Sequence, residues 1–372
     1  MKRLLQSEVV VLGAGPVGMV AALEFSKYHP TTLISRQLPS ANDAPRVEAV
    51  PASLLALLVE FGIHPRRIGV ERLHESRLVA WEQEAVVESL APVAAHVERP
   101  ALDLALLGVV VTSGRVNLRV SQQANCFSAA IAAARNQEVR LIDATGRRAV
   151  SAGKRIHPAK PWAARTLMTS RRSCTADNKL RIAALPGGFV YRLGAANHIV
   201  LGIVGRRKPV VGDHSTIEQH LHEYGAEWIL EGLPPIADMT PGRISPASVQ
   251  WTSGTVGIRV GDAALARDTL SSQGLAAGIS EALYAAAIKG HDDEALLSVR
   301  QVEQKVSHLR SLGRVIARCR FREQESWRQY AEFVVTNLED KALSTVALRE
   351  GQVHNYGTAS PMQGETADGA LV

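Results

Sequence analysis

Cysteines, aromatic residues and long apolar runs are all scarce in this chain. Its three cysteines, Cys126, Cys174 and Cys319, lie far apart and form neither a Cys-x-x-Cys pair nor a zinc spacing. They give no sign of a disulfide framework or a metal site and read as buried or idle thiols. Aromatics are 5% of the chain and are not interleaved with basic residues, so the stacking platform of a nucleic-acid binder is missing. No apolar run approaches the roughly 18 residues that a transmembrane helix needs. The opening residues Met1 to Glu8 enter a strand pattern at once and offer no secretory h-region. The expectation is a protein of the reducing cytoplasm with no membrane or nucleic-acid partner. The chain also has no internal repeats, no obvious catalytic triad and no metal-ligand cluster.

What the chain does have is a pair of glycine motifs. Gly13-Ala14-Gly15-Pro16-Val17-Gly18 follows the apolar run Glu8 to Leu12 and opens a helical stretch from Val17 to Tyr28. Strand, tight turn and helix in that order suit a dinucleotide. Gly13 permits the turn, Gly15 lets the backbone approach a pyrophosphate, and Gly18 lets the helix lie close to the strand. The helix N-terminus, with Pro16 in its first turn, faces the phosphates with unpaired N–H groups. Alone, this fingerprint does not separate FAD from NAD. Far downstream, Gly261-Asp262-Ala263-Ala264 precedes another Gly-rich helix start, a flavoprotein pattern that points to FAD. The strand Thr31 to Ser35 should end in an acid that holds ribose hydroxyls, but Ser35 and Arg36 stand there. Arg36 is left to stack on or pair with the adenosine.

Periodicity predicts helices over 16–27, 52–61 and 102–107, and strands near 77–81, 93–98, 117–120 and 139–142. Between about 155 and 250, alternating runs such as Phe189 to Leu193 and Ile199 to Val204 are separated by Gly-rich turns, which is antiparallel hairpin grammar. Long helices are expected over roughly 273–288 and 295–335. The resulting fold class is α/β: a Rossmann-like FAD-binding domain, an inserted antiparallel β-sheet substrate domain and C-terminal helices. Residues 1–155 hold the first part of the FAD-binding domain with part of the substrate sheet. Residues 156–250 form the β-rich substrate domain, 251–345 the return segment with C-terminal helices, and 346–372 a flexible tail.

Four patches carry a family resemblance beyond the first fingerprint: Arg46 to Pro51 with Leu58 to Pro65, Arg99 to Asp103, Asp143 to Arg147, and Gly261 to Gly274. With Gly13 to Gly18 they make the chain resemble flavin-dependent monooxygenases of the p-hydroxybenzoate-hydroxylase-like superfamily. The likeness is to the branch with tryptophan halogenases and the LodB/GoxB/QhpG-type flavoproteins of tryptophylquinone biogenesis. One departure is Thr269 after Asp268, where the family commonly has proline. The resemblance implies that Gly13, Gly15, Pro16, Gly18 and Arg99 hold the FAD pyrophosphate and that Asp262 accepts from the ribityl chain. Gln273, Gly274 and Leu275 then approach the flavin ring. Oxygen activation through a flavin C4a-hydroperoxide needs no protein metal or nucleophile.

A second cluster, Arg46, Glu48 and His64, falls where the resemblance puts the route from flavin to substrate. Glu48 there is a candidate base if burial raises its pKa, although a structural pairing with Arg46 is an equal reading and His64 reads as a loop histidine. Net charge is +6, yet Arg147 to Arg181 alone carries ten basic residues against Asp177. Such a segment is either a solvated face or a docking surface for an acidic partner. The leading expectation is hydroxylation of a tryptophan side chain in an acidic protein partner, with NAD(P)H or another reductant supplying electrons. Halogenation is disfavoured because no two of the five tryptophans are two apart, so the Trp-x-Trp-x-Ile-Pro signature is missing. A small-molecule reductase and a non-catalytic flavin-bound assembly factor are the remaining alternatives.

Overall fold

A run such as Val9 to Leu12 is buried on both faces only inside a sheet covered on each side. The computed structural model describes residues 8–123, 125–206, 214–242, 244–288 and 291–338 and places that run so. Strand Glu8–Leu12 is central in a five-stranded parallel sheet, flanked by Thr31–Ser35 and Val139–Asp143. Val116–Val120 and Ile258–Arg259 form its edges. Helix Pro16–Phe25 makes the crossover between the first two strands. It packs against helices Arg99–Ser113 and Gly274–Ala287, with Met19, Leu23, Leu102, Leu106, Ile279 and Ala282 in one buried cluster. Helix Arg99–Ser113 outruns the expected 102–107 and stops at Gly114, whose φ of 63° suits a glycine C-cap.

The second sheet has nine strands drawn from two separate parts of the chain. Val47–Pro51, Val87–Glu98 and Leu73–Ala80 lie side by side on one half. Leu180–Leu185, Gly188–Gly194, His198–Gly205 and Ala163–Ser170 continue it by antiparallel pairing. Short strands Thr240–Pro241 and Ser245–Pro246 border the last of these. The two halves join where Leu180–Leu185 runs parallel to Leu73–Ala80. The chain between those strands crosses the other sheet first, so no hairpin dictates their relative direction. Ala152–Ile156 and Gln250–Thr255 form a two-stranded ribbon.

The helix expected over 295–335 is two helices, His291–Arg318 and 325–338. Neither proline nor glycine marks the break. Tertiary contacts make it: Arg320 N donates to Trp81 O at 2.9 Å and its guanidinium donates to Tyr224 O at 2.6 Å. Trp81, Trp162, Trp327 and Tyr330 pack the C-terminal helices onto the sheet, with Trp162 and Trp327 edge to face at 4.7 Å. The tail expected over 346–372 lies outside the described residues. Among the described residues, no helix is long and apolar enough to cross a membrane, and no group of His, Cys, Asp or Glu is arranged to hold a metal ion. Cys126 and Cys174 are half-buried free thiols, and burial pushes the Cys319 thiol up to about 12.

Candidate active site

One cavity of about 770 Å³ runs from the first glycine turn to the face of the nine-stranded sheet. At its first end, Gly13 has φ 98°, and a Cβ there would meet the Ala144 carbonyl oxygen at 2.6 Å. A Cβ on Gly18 would meet Gly13 O at 1.9 Å, so this glycine sets the close approach of helix to strand and lies behind the lining. Gly15 differs from both: a Cβ there meets nothing within 4 Å, because the residue faces the cavity. Pro16 opens the helix and has no N–H, so the Val17 and Gly18 amides are left as the first-turn donors.

Ser35, at the position of the missing acid, braces this turn. Its hydroxyl donates to Gln37 O at 2.7 Å and accepts from Ala14 N at 3.4 Å. Arg36 lines the cavity with its guanidinium 5.5 Å from the Phe127 ring centre. Asp143 holds the opposite wall: Oδ1 accepts from Thr145 N and Oγ1, and Oδ2 accepts from Ser151 N.

Arg99 stands at the middle of the cavity. Its Nη1 donates to Glu48 Oε1 at 2.7 Å and its Nε to Asp103 Oδ1 at 2.6 Å. Burial alone would favour loss of its proton, but Glu48 and Asp103 outweigh that and raise its pKa. Glu48 therefore pairs with Arg99 and not with Arg46. Arg46 is exposed at the rim, where its carbonyl accepts from Arg99 N at 2.8 Å. His64 is not brought to this cluster. It is exposed, lies outside the cavity lining, and its Nδ1 accepts from Arg66 N at 3.3 Å at the start of the turn Pro65–Ile68.

Asp262 is the first residue of the short helix Asp262–Leu265, whose N-cap is Gly261. It lines the cavity, and no hydrogen bond to its carboxylate is made among the described residues. Burial raises its pKa, opposed by Arg147, Arg99 and Arg267 and assisted by Glu48. Beyond it, Gly274 and Leu275 line the cavity, whereas Gln273 caps helix Gly274–Ala287 just outside the lining. Asp268 Oδ1 accepts from Ser271 N at 3.1 Å and its Oδ2 lies 2.9 Å from His308 Nε2. Thr269 N donates to Ala247 O at 3.1 Å, a bond that proline at this position would remove.

The far end of the cavity is the sheet itself. Ala164, Thr166, Ile182, Phe189, Tyr191 and Leu193 form a largely apolar floor. Burial, then the Glu48 charge, push the Tyr191 phenol up to about 12, so it stays a hydroxyl donor at neutral pH. Sequence reading missed Phe127 and this floor, whose residues meet only through sheet register. The basic segment is divided in space. Arg181 is buried against Asp177 and Glu231, and Arg147 donates to Ser248 O and Arg267 O. Arg148, Lys154, Arg155, Lys160 and Arg172 stay exposed.

No protein-family model matches this sequence, and no curated protein does either. Solved structures do. The flavin-dependent brominase Bmp2 aligns with a TM-score of 0.65 at 14% identity, covering 94% of this chain and 100% of Bmp2. The myxobacterial chondrochloren halogenase CndH aligns at 0.64 and 16%, covering 94% and 90%. The peptidyl tryptophan dihydroxylase QhpG aligns at 0.57 and 16%, covering 94% and 76%. The chain shares their fold.

Proposed function

We propose that this chain is an FAD-dependent oxidative enzyme that hydroxylates an apolar aromatic molecule. The observation that carries this reading is the single cavity linking the Gly15 cradle to the apolar sheet floor. The residues present fit FAD. Gly15 leaves open space where a pyrophosphate needs it, the Val17 amide offers a donor beside it, and Asp262 offers a half-buried carboxylate to a hydroxyl chain. When bound, reduced flavin supplies the reaction with O₂. The protein's part is to position and to exclude water: Phe189 and Ile182 pack the substrate ring, and Tyr191 donates a hydrogen bond to it. Glu48, tied to Arg99 at the junction of the two ends, orients that guanidinium, with Arg46 at the rim. His64 has no part in this reading.

Hydroxylation is preferred to halogenation on two grounds. No two tryptophans are two apart, and the described lining contains arginines but no lysine, so a lysine relay for hypohalous acid has no candidate. A second reading is hydroxylation of a tryptophan in an acidic protein partner during tryptophylquinone biogenesis. Exposed Arg148, Lys154, Arg155 and Arg172 favour it. The test supplies NAD(P)H or chemically reduced flavin, O₂, bromide and either small phenols and indoles or an acidic tryptophan-bearing protein, with products weighed by mass spectrometry. Oxygen added to the small molecules supports the proposal, and oxygen added only to the protein replaces it with the second reading. A good yield of brominated product overturns both.

A further inference from the structure

A buried carboxyl beneath the Asp262 turn has no part in the reading above. Glu281, on helix Gly274–Ala287, is 1% exposed. Its Oε2 accepts from Gly261 N at 2.8 Å. Its Oε1 has no hydrogen-bond partner among the described residues, and neither has Nη1 of Arg267, which lies 3.7 Å away. Arg267 is itself nearly buried and feels Glu281, Asp262 and Asp268 together. One guanidinium thus acts on three carboxyl groups. From the long C-terminal helix, Arg300 also acts on Glu281, but its guanidinium sits over the Tyr284 ring at 4.2 Å.

We propose that Glu281 takes up a proton when FAD binds, so that cofactor binding in this cleft is linked to pH. This rests on the FAD reading of the cleft. Gly261 abuts the first turn of helix Pro16–Phe25, since a Cβ there would lie 3.2 Å from both Val17 methyls. A pyrophosphate arriving at the Gly15 cradle therefore brings negative charge to the helix turn that Gly261 abuts. That charge disfavours a further buried carboxylate. Burial already lifts Glu281 to about 7, against the opposing pull of Arg267 and the Gly261 N–H, with Asp262 adding to the rise. The Gly261 bond survives protonation because a carboxylic acid's carbonyl oxygen still accepts. A ligand that raises a group's pKa binds best below that group's free pKa and loses affinity as pH rises through it.

The test is FAD affinity by flavin fluorescence from about pH 6 to about pH 9 for the wild type and Glu281→Gln. Calorimetry in two buffers of different ionisation enthalpy measures proton uptake directly on the wild type. The wild-type dissociation constant should rise roughly tenfold across that range, with net proton uptake near neutral pH. Glu281→Gln keeps the acceptor for Gly261 and should bind FAD tightly with no such slope. Binding that is flat in the wild type, or a slope that survives in Glu281→Gln, overturns the proposal and leaves FAD as the cofactor. No FAD binding at any pH overturns the cofactor reading as well.

Discussion

The two ends of the cavity are built by opposite means. The Gly13–Gly18 end is made of backbone: positive φ at Gly13, open space at Gly15 and a close helix–strand approach at Gly18. The sheet end is made of side chains from Ala163–Ser170, Leu180–Leu185 and Gly188–Gly194, strands of one antiparallel chain segment. The backbone end tolerates little substitution, because an added Cβ meets protein backbone at Gly13 and Gly18 and enters the cavity at Gly15. Side-chain floors tolerate exchange at a cost in packing, so on the proposed reading substrate preference is free to change there while the FAD end stays the same.

The sharpest way to break this comparison is Gly15→Val. A branched side chain facing the pyrophosphate position should weaken FAD binding by at least about a thousandfold, roughly 4 kcal/mol, and yield colourless protein. Flavin absorbance on the purified variant checks it. Phe189→Ala should do the reverse. Deleting this buried ring, 3% exposed, should lower stability by about 3 kcal/mol in denaturant unfolding while FAD affinity stays within about twofold. If FAD is lost in proportion to stability, the two ends are not separable.

Asp262→Asn should weaken FAD binding by roughly tenfold, about 1.4 kcal/mol, because an amide oxygen accepts less strongly than a carboxylate. Unchanged affinity by titration would remove Asp262 from the site. A further effect lies in the sheet. His96 is buried, stacks on His74 at 4.3 Å, and its Nδ1 lies 2.9 Å from the Gly194 carbonyl. Burial, then the neighbouring His74, lower its pKa to about 3. The unfolded chain takes up a proton near the ordinary value of 6.5, which the folded chain refuses until about 3. Stability should therefore fall as pH drops through that window, with a slope of up to about 1.4 kcal/mol per pH unit. His96→Gln should remove this slope, as urea midpoints at several pH values will record.

The glycine cradle was legible because turn, crossover and helix start are local and each glycine answers a local steric demand. The β-α-β unit follows the same logic, and its strands Glu8–Leu12 and Thr31–Ser35 fall where the residue pattern puts them. The helix break after Arg318 was not legible, since Trp81 and Tyr224 impose it from remote parts of the chain. Neither was the pairing of Glu48, because nearness in sequence favoured Arg46 while the fold brings in Arg99. His64 follows the same lesson in reverse: it lies close to the cluster in sequence, yet it turns outward to cap a short helical turn. The hairpins that carry Phe189 and Tyr191 were legible from alternating runs and Gly-rich turns, but not which face of their sheet lines the cavity, since that face is chosen by packing against the rest of the chain.

The most direct test is a crystal structure of the protein soaked with FAD. The pyrophosphate should lie within hydrogen-bond reach of the Val17 amide, the ribityl chain at Asp262, and the ring beside Gly274 and Leu275, facing the sheet floor. FAD bound elsewhere, or bound here with its ring at the Gly15 end, would contradict the account.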